Sequence, residues 1–148
     1  MTGLNHAATG ALVAVVVKEP ATALPIALLS HFVSDALPHW KLKVKRLFLL
    51  ADSVLSLVLL AVVSVVFTAP AWLVFSCGLL AILPDAMWLR QVVITGKYKT
   101  KNYQSPLLNI IRYLHLKVQW CEPENGWYLE ILWFIVTILL VVHFGKTR

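Results

Sequence analysis

Charged residues are scarce in this chain of 148 residues. Only 14% of the residues are charged and 59% are apolar or aromatic, whereas roughly a quarter of a soluble domain is charged. A globule of this size has too little interior to bury so many apolar side chains, so a water-soluble domain is not expected. The composition favours lipid as the solvent, and residues 1–148 are predicted to form a single integral membrane domain.

Cysteines and the common catalytic motifs are also few or missing. Cys77 lies inside an apolar run and forms no C-x-x-C pair with Cys121, which excludes a disulfide scaffold and a cysteine zinc finger. There is no G-x-S-x-G motif, P-loop or dinucleotide fingerprint, so serine hydrolase, nucleotidase and dehydrogenase activities lack support. The net charge of +6 comes from Lys and Arg in short segments between apolar runs. This pattern is typical of membrane proteins, and no nucleic-acid partner is expected.

Four apolar stretches are predicted to cross a membrane. The first is a helical hairpin of residues 4–17 and 21–37, divided by Lys18-Glu19-Pro20. The others are 48–67, 71–94 with a kink at Pro84, and 127–144. Residues 97–120 are predicted to form a cytoplasmic loop followed by an amphipathic surface helix over 106–120. The predicted fold is therefore an all-α integral membrane bundle of about four spans, with one amphipathic surface helix.

The distribution of basic residues predicts the orientation. If the hairpin crosses the membrane and returns, only Lys18, Lys146 and Arg148 of the thirteen Lys and Arg residues lie on one side, and the other ten lie opposite. The excess of positive charge marks the cytoplasmic side. The N-terminus is therefore expected in the cytoplasm and the C-terminus outside, in a bacterial or archaeal cytoplasmic membrane.

Histidines and carboxylates gather toward the predicted cytoplasmic side. A carboxylate inside the membrane costs about 2.5–3.5 kcal/mol by insertion scales, so Asp52 and Asp85 require an ion pair, a water-filled cavity or a metal. The neighbouring basic residues can pair with one or two acids, but they do not account for four histidines as well. A metal site is therefore the favoured interpretation. Its predicted ligands are His6, His31, Asp35, His39, Asp85 and His115.

The most informative segment lies between His31 and His39. Asp35 follows His31 by four positions, so the two side chains share a helix face and can reach one ion. His39, four positions further on, continues the same face. A hydrogen-bonded helix pair is the simpler alternative for His31 and Asp35 alone. A second candidate segment places His115, Gln119 and Glu122 on one side of the surface helix, although a polar stripe facing solvent or the lipid headgroups explains it equally well.

These residues resemble a known group of proteins. His6 in an apolar N-terminal arm, the H-x3-D element from His31 to Asp35, and Leu83-Pro84-Asp85 resemble the bacterial membrane-bound metal-dependent hydrolase family. The resemblance implies that His6, His31, Asp35 and Asp85 bind metal. More distantly, residues 31–39 are similar to the zinc-ligand segment of phospholipase C and the S1/P1 nucleases, which would add His39.

The expected activity follows from these ligands. Imidazole and carboxylate ligands fit Zn, Mn or Fe, with Zn the usual choice for hydrolysis, and their number allows one or two ions. Asp35 is placed to bridge two ions, and Asp52 or Glu122 is expected to act as a general base or to orient a histidine. The predicted reaction is hydrolysis of a phosphoester in a lipid or lipid-linked substrate at the cytoplasmic face. A metal or proton carrier and a di-iron redox protein are the alternatives.

Overall fold

The computed structural model describes residues 1–41, 46–95 and 105–146, with residues 46 and 87–95 described by their backbone alone. The described residues form six α-helices and no β-strand, which confirms the predicted all-α class. The predicted polar loop over 97–104 lies outside the described residues. The helices are α1 (Gly3–Val17), α2 (Pro20–Ala36), α3 (Arg46–Val66), α4 (Ala71–Thr95), α5 (Pro106–Val118) and α6 (Trp127–Phe144).

Helix α1 lies at the centre of the bundle and packs against α2, α3, α4 and α6. Its buried face carries small residues, so neighbouring backbones can approach it closely. A Cβ atom added at Gly10 would lie only 2.7 Å from Gly78 Cα on α4, and it would also clash with the Cys77 carbonyl oxygen. Small side chains thus set the distance between α1 and α4, the two helices that carry His6 and Asp85.

A tight turn joins α1 to α2. Lys18 ends α1 in the left-handed conformation with φ 60°, and the Glu19 carboxylate then accepts hydrogen bonds from the backbone N–H groups of Ala21 at 2.9 Å and Thr22 at 2.7 Å. Hydrogen bonds from Thr22 and Ala21 lower the pKa of Glu19. This N-cap, followed by Pro20 in the first turn of α2, explains why the chain reverses at the predicted position.

Two of the described helices are long and apolar enough to cross a membrane. They are Leu47–Val66 within α3 and Trp127–Phe144, which is α6. Helix α1 and the segment Ala71–Ala86 of α4 are apolar but shorter. Large apolar side chains on α3 and α6 point away from the bundle, as shown by the exposed fractions of 71% for Val65 and 62% for Leu139. The core helix of a soluble protein would bury such residues.

The remaining helices bring polar residues to one end of the bundle. Helix α4 continues through Pro84, where a kink was predicted, and carries Asp85 on the following residue. Helix α5 ends at Val118 and packs against α2 and α4. The N-terminal part of α1, the C-terminal parts of α2 and α5, and the segment of α4 around Asp85 therefore meet in one region.

Candidate metal centre

His31 and Asp35 form the base of the candidate centre. Both side chains are fully buried on one face of α2, and His31 Nε2 lies 3.4 Å from Asp35 Oδ2. The opposite ring nitrogen of His31, Nδ1, lies 2.7 Å from the carbonyl oxygen of Ala81. Because a carbonyl only accepts, Nδ1 carries the proton and donates, which leaves the Nε2 lone pair directed toward Asp35.

His6 reaches the same carboxylate from α1. Its ring is fully buried and stacks on His31 with 4.1 Å between the ring centroids. His6 Nε2 lies 3.2 Å from Asp35 Oδ1, yet neither ring nitrogen of His6 makes a hydrogen bond. A buried imidazole without such a bond is costly, because nothing replaces the water that it lost.

Asp85 and His115 complete the cluster from α4 and α5. His115 Nε2 lies 2.9 Å from Asp85 Oδ1 and 3.1 Å from Asp35 Oδ2, and the other Asp85 oxygen is 3.8 Å from His6 Nε2. Burial alone would lower the pKa of His115, but hydrogen bonds to Asp35 and Asp85 outweigh burial and raise it. A metal ion bound through Nε2 of His115 would compete with a proton for that nitrogen.

The spacing of these atoms fits a transition-metal ion. Ligands about 2.0–2.1 Å from one ion lie about 3.3–3.4 Å apart in a tetrahedron and about 2.9 Å apart in an octahedron. The four closest imidazole–carboxylate separations here run from 2.9 to 3.4 Å. His6 Nε2 and His31 Nε2 also have no hydrogen-bond partner, as expected for lone pairs that converge on a cation rather than on a donor.

Two overlapping sets of side chains are arranged so that they could hold an ion. One set contains His6, His31 and Asp35, and the other contains His31, Asp85 and His115. His31 belongs to both sets, but its Nδ1 is engaged by Ala81, so only Nε2 is available. One nitrogen lone pair binds one ion, and the two sets cannot both be filled through His31. An ion held through His31 therefore uses either His6 and Asp35 or Asp85 and His115 as its other ligands.

His39 and Glu122 lie apart from these two sets. Helix α2 ends at Ala36, so His39 leaves the stripe that the sequence pattern extended to it. His39 is fully buried, with Nδ1 2.7 Å from the Leu37 carbonyl oxygen and Nε2 3.4 Å from Glu122 Oε1. The structure pairs the predicted ligand His39 with the predicted catalytic residue Glu122 instead of bringing either into the sets around Asp35.

Asp52 makes a structural contact with the start of α1. Its carboxylate accepts hydrogen bonds from the backbone N–H groups of Gly3 at 2.8 Å and Leu4 at 3.0 Å. These groups have no partner within the helix, and a negative charge near a helix N-terminus is favourable. The contact supplies a reason for a carboxylate nearly two turns into α3. The general-base role of Asp52 stays a prediction.

Glu130 anchors the same segment from α6. Its carboxylate accepts hydrogen bonds from the Thr2 hydroxyl at 2.9 Å, the Asn5 side chain at 2.6 Å and the Trp40 backbone N–H at 3.3 Å. Glu130 therefore ties the first turn of α1 to the segment that follows α2. Through Asp52 and Glu130, α3 and α6 fix the part of α1 that presents His6.

Two further groups contact Asp35. The Gln119 side chain donates to Asp35 Oδ2 at 3.1 Å, and the amino group of Met1 lies 2.9 Å from Asp35 Oδ1. Gln119 belongs to the second candidate segment, where its position four residues after His115 was the signal, whereas the Met1 contact was not predicted. Nothing in the pattern indicated the Met1 contact, because it depends on how α1 packs against α2.

Comparison with known proteins gives no relative whose function could suggest a role for this chain, so a functional proposal has to rest on the candidate site. No family model, curated protein or solved structure matches this chain. The resemblance to the membrane-bound metal-dependent hydrolases therefore stays a prediction, based on the motif residues His6, His31, Asp35 and Asp85.

Proposed function

We propose that the chain is an integral membrane hydrolase with one divalent metal ion, which cleaves a phosphoester of a lipid or lipid-linked substrate at the cytoplasmic face. The observation that carries this proposal is the convergence of three imidazoles on Asp35 and Asp85. The five side chains come from four helices, and within each of the two sets the candidate ligand atoms lie within 4.8 Å of one another. No thiolate is among them, which favours Zn, Mn or Fe, with Zn the usual ion in hydrolysis.

The proposed membrane location rests on the exposed apolar surface. In addition to the two helices of sufficient length, α1 with α2 and the apolar part of α4 would complete the four spans expected from the sequence. Trp127 and Tyr128, each 55% exposed, stand at the start of α6 at the end of the bundle that holds the metal centre. Exposed aromatic residues are common at the membrane–water boundary, which supports a position of the proposed site near headgroup level.

The residues around Asp35 suggest how the reaction is divided among them. His31 would hold the ion together with His6 and Asp35, or together with Asp85 and His115, and the ion would supply Lewis acidity toward a phosphoryl oxygen and toward water. The hydrogen bond to Ala81 fixes the His31 ring, and Gln119 orients the Asp35 carboxylate. His39 with Glu122, lying beside the end of α2, is the pair available to accept and return a proton.

Arg112 is assigned phosphate recognition in this proposal. It lies three residues before His115 and on the same inward face of α5, where it is half-buried. A guanidinium group matches two phosphoryl oxygens with parallel N–H donors. This makes a phosphoester a better match to the site than a neutral ester.

Metal content tests the centre directly. The purified protein is expected to carry about one Zn, Mn or Fe ion per chain by elemental analysis. The double variant His31→Ala with Asp35→Ala should lose the ion, whereas His143→Ala, which alters an exposed histidine on α6, should keep it. Full occupancy in the double variant would remove these residues from the site.

Release of phosphate or headgroup from mixed lipid micelles tests the activity. Turnover should disappear on chelation and return with Zn or Mn, and Asp35→Asn should abolish it while the protein stays helical and extractable. Metal-dependent uptake of an ion into liposomes by the same protein would overturn the hydrolase proposal in favour of a carrier. Stoichiometric iron with a redox-dependent absorption spectrum would favour the di-iron alternative.

A further inference from the structure

Helix α5 has two opposite faces of different chemistry. At 3.6 residues per turn, Leu108, Ile111, Arg112, His115 and Gln119 lie on the side toward α2 and α4, and each is buried or half-buried. The opposite side carries exposed Leu107, Ile110, Tyr113, Leu114 and Lys117. We call these five residues the outer face of α5.

Polar contacts join the C-terminal end of α5 to the bundle. His115 contacts Asp35 and Asp85, Gln119 donates to Asp35, and the Trp120 indole N–H donates to the Ala36 carbonyl oxygen at 2.9 Å. Three of these four contacts are made to the proposed ligands Asp35 and Asp85. A contact that holds α5 in place therefore also holds the proposed ligand His115 and the orientation of the proposed ligand Asp35.

The outer face has no counterpart among the described residues. Leu107 is 64% exposed, Ile110 56% and Leu114 47%, so three large apolar side chains at helical spacing point away from the protein. In water, such a stripe favours release of the helix or its association with another apolar surface.

The chemistry around the outer face fits a lipid surface with anionic headgroups. Lys117 lies over the ring of Tyr113 at 5.7 Å from the ring centroid, and exposed Lys41 lies beside the loop that follows α5. Trp120 is 73% exposed. A stripe of Leu and Ile bordered by Lys, Tyr and Trp is the composition of a helix that lies in the membrane interface, where Lys reaches the headgroups and the rings lie at their level.

We propose that an anionic lipid surface binds the outer face of α5 and thereby holds His115 in the metal centre. The inference rests on the proposed metal centre and adds a dependence on the bilayer. Without lipid, the apolar stripe of Leu107, Ile110 and Leu114 stays exposed to water, which opposes the position of α5 against the bundle. With lipid, burial of Leu107, Ile110 and Leu114 stabilises the position in which His115 faces Asp35 and Asp85.

Zinc affinity in different surroundings tests this coupling, with zinc alone as the probe. The full chain is compared in maltoside micelles, in neutral phosphatidylcholine nanodiscs and in nanodiscs that contain phosphatidylglycerol, using competition with a chelating dye. Affinity is expected to be highest in the anionic nanodiscs. Loss of a group that supports a metal ligand commonly lowers affinity about 10–100-fold, and a difference of that size is expected for the wild type between micelles and anionic nanodiscs.

Matched variants identify the face that carries the effect. Leu107→Gln with Ile110→Gln should lower the affinity in anionic nanodiscs to the level of His115→Ala, and should have no further effect in His115→Ala protein. Leu116→Gln, on the same helix but between the two faces, should retain the wild-type affinity. Hydrogen exchange of the α5 backbone should rise in the double variant while that of α1 stays unchanged, which shows that the bundle remains folded.

Three results would overturn the inference, and each differs from failure of the proposed function. Equal zinc affinity in micelles and nanodiscs would show that α5 needs no lipid. Affinity that rises with protein concentration in micelles would show that a second copy of the chain covers the outer face. Wild-type affinity in the double variant would exclude that face from the coupling. Absence of zinc binding by the wild type in every preparation would instead refute the metal centre.

Discussion

Arg112 is the residue whose replacement best separates substrate recognition from metal binding. Arg112→Gln removes the charge from the inner face of α5 but none of the five proposed ligands. We expect the metal content to stay unchanged and kcat/KM to fall roughly 10–100-fold, because a positioned cation stabilises the charge on the phosphoryl group. Steady-state kinetics on the lipid substrate measure the loss, with Lys146→Gln at the opposite end of the bundle as the control.

Asp52 distinguishes a structural carboxylate from a catalytic one. Asp52→Asn leaves one carbonyl oxygen for the two N–H groups at Gly3 and Leu4, so it should lower the free energy of unfolding by about 0.5–2 kcal/mol, the range for loss of a helix N-cap. Thermal unfolding in detergent measures this change, and Ser53→Ala on the exposed side of α3 should have little effect. If Asp52 is instead a general base, turnover will vanish while stability and metal content stay at wild-type levels.

Contacts within one helix could be predicted from the sequence, and contacts between distant segments could not. The spacing of His31 and Asp35 predicted a shared helix face, and their 3.4 Å separation confirms it. By the same reasoning His39 was expected on the helix face of His31 and Asp35. It does not lie on that face, because α2 ends at Ala36 and the sequence pattern did not show this end. Side-chain contacts between distant segments, such as Asp52 with Gly3, depend on packing that no local pattern encodes.

At the scale of the helices, Gly10 sets how closely α1 approaches α4. Alanine is favoured over glycine in a helix by about 1 kcal/mol, so Gly10→Ala should stabilise the protein if only helix propensity mattered. A Cβ at this position meets the backbone of Cys77 and Gly78, which cannot move aside independently of α4. We therefore expect a lower unfolding temperature and weaker zinc binding, since His6 and Asp85 lie on the two helices that would be separated.

Val16→Ala provides the comparison for Gly10→Ala, because Val16 is exposed on the same helix. It should leave zinc affinity unchanged. A Gly10→Ala protein as stable as the wild type, with the same zinc affinity, would contradict the close packing of α1 and α4.

The helices themselves were largely predictable from the sequence, and their arrangement was not. Apolar runs, the Lys18-Glu19-Pro20 break and the predicted amphipathic segment gave six helices with boundaries close to those observed. The central position of α1 was not evident, because its row of alanines resembles any short apolar helix. It follows from the small side chains that allow four helices to pack around α1.

For the whole molecule, the testable feature is which end of the bundle faces the cytoplasm. The metal centre and exposed Lys41 lie at one end, and the turn at exposed Thr68 lies at the other, where its backbone N–H donates to the Lys146 carbonyl oxygen at 2.8 Å. In a Cys121→Ser background, Lys41→Cys should react with a membrane-impermeant thiol reagent only when the cytoplasmic side is open. Thr68→Cys should react from outside, and reaction of both positions from the same side would refute the proposed topology.

The bond between Asn5 and Glu130 has a consequence for how the protein is made. The Asn5 side chain donates to the Glu130 carboxylate, and 125 residues separate the two. At about 5–20 residues per second, a ribosome finishes Glu130 about 6–25 s after Asn5. During that interval α1 is already synthesised, but one of its polar partners does not yet exist. Its buried amide and His6 must be shielded by water, by α2 and α3 or by another protein, and a nascent chain stalled before α6 would lack the Glu130 contacts that fix the first turn of α1.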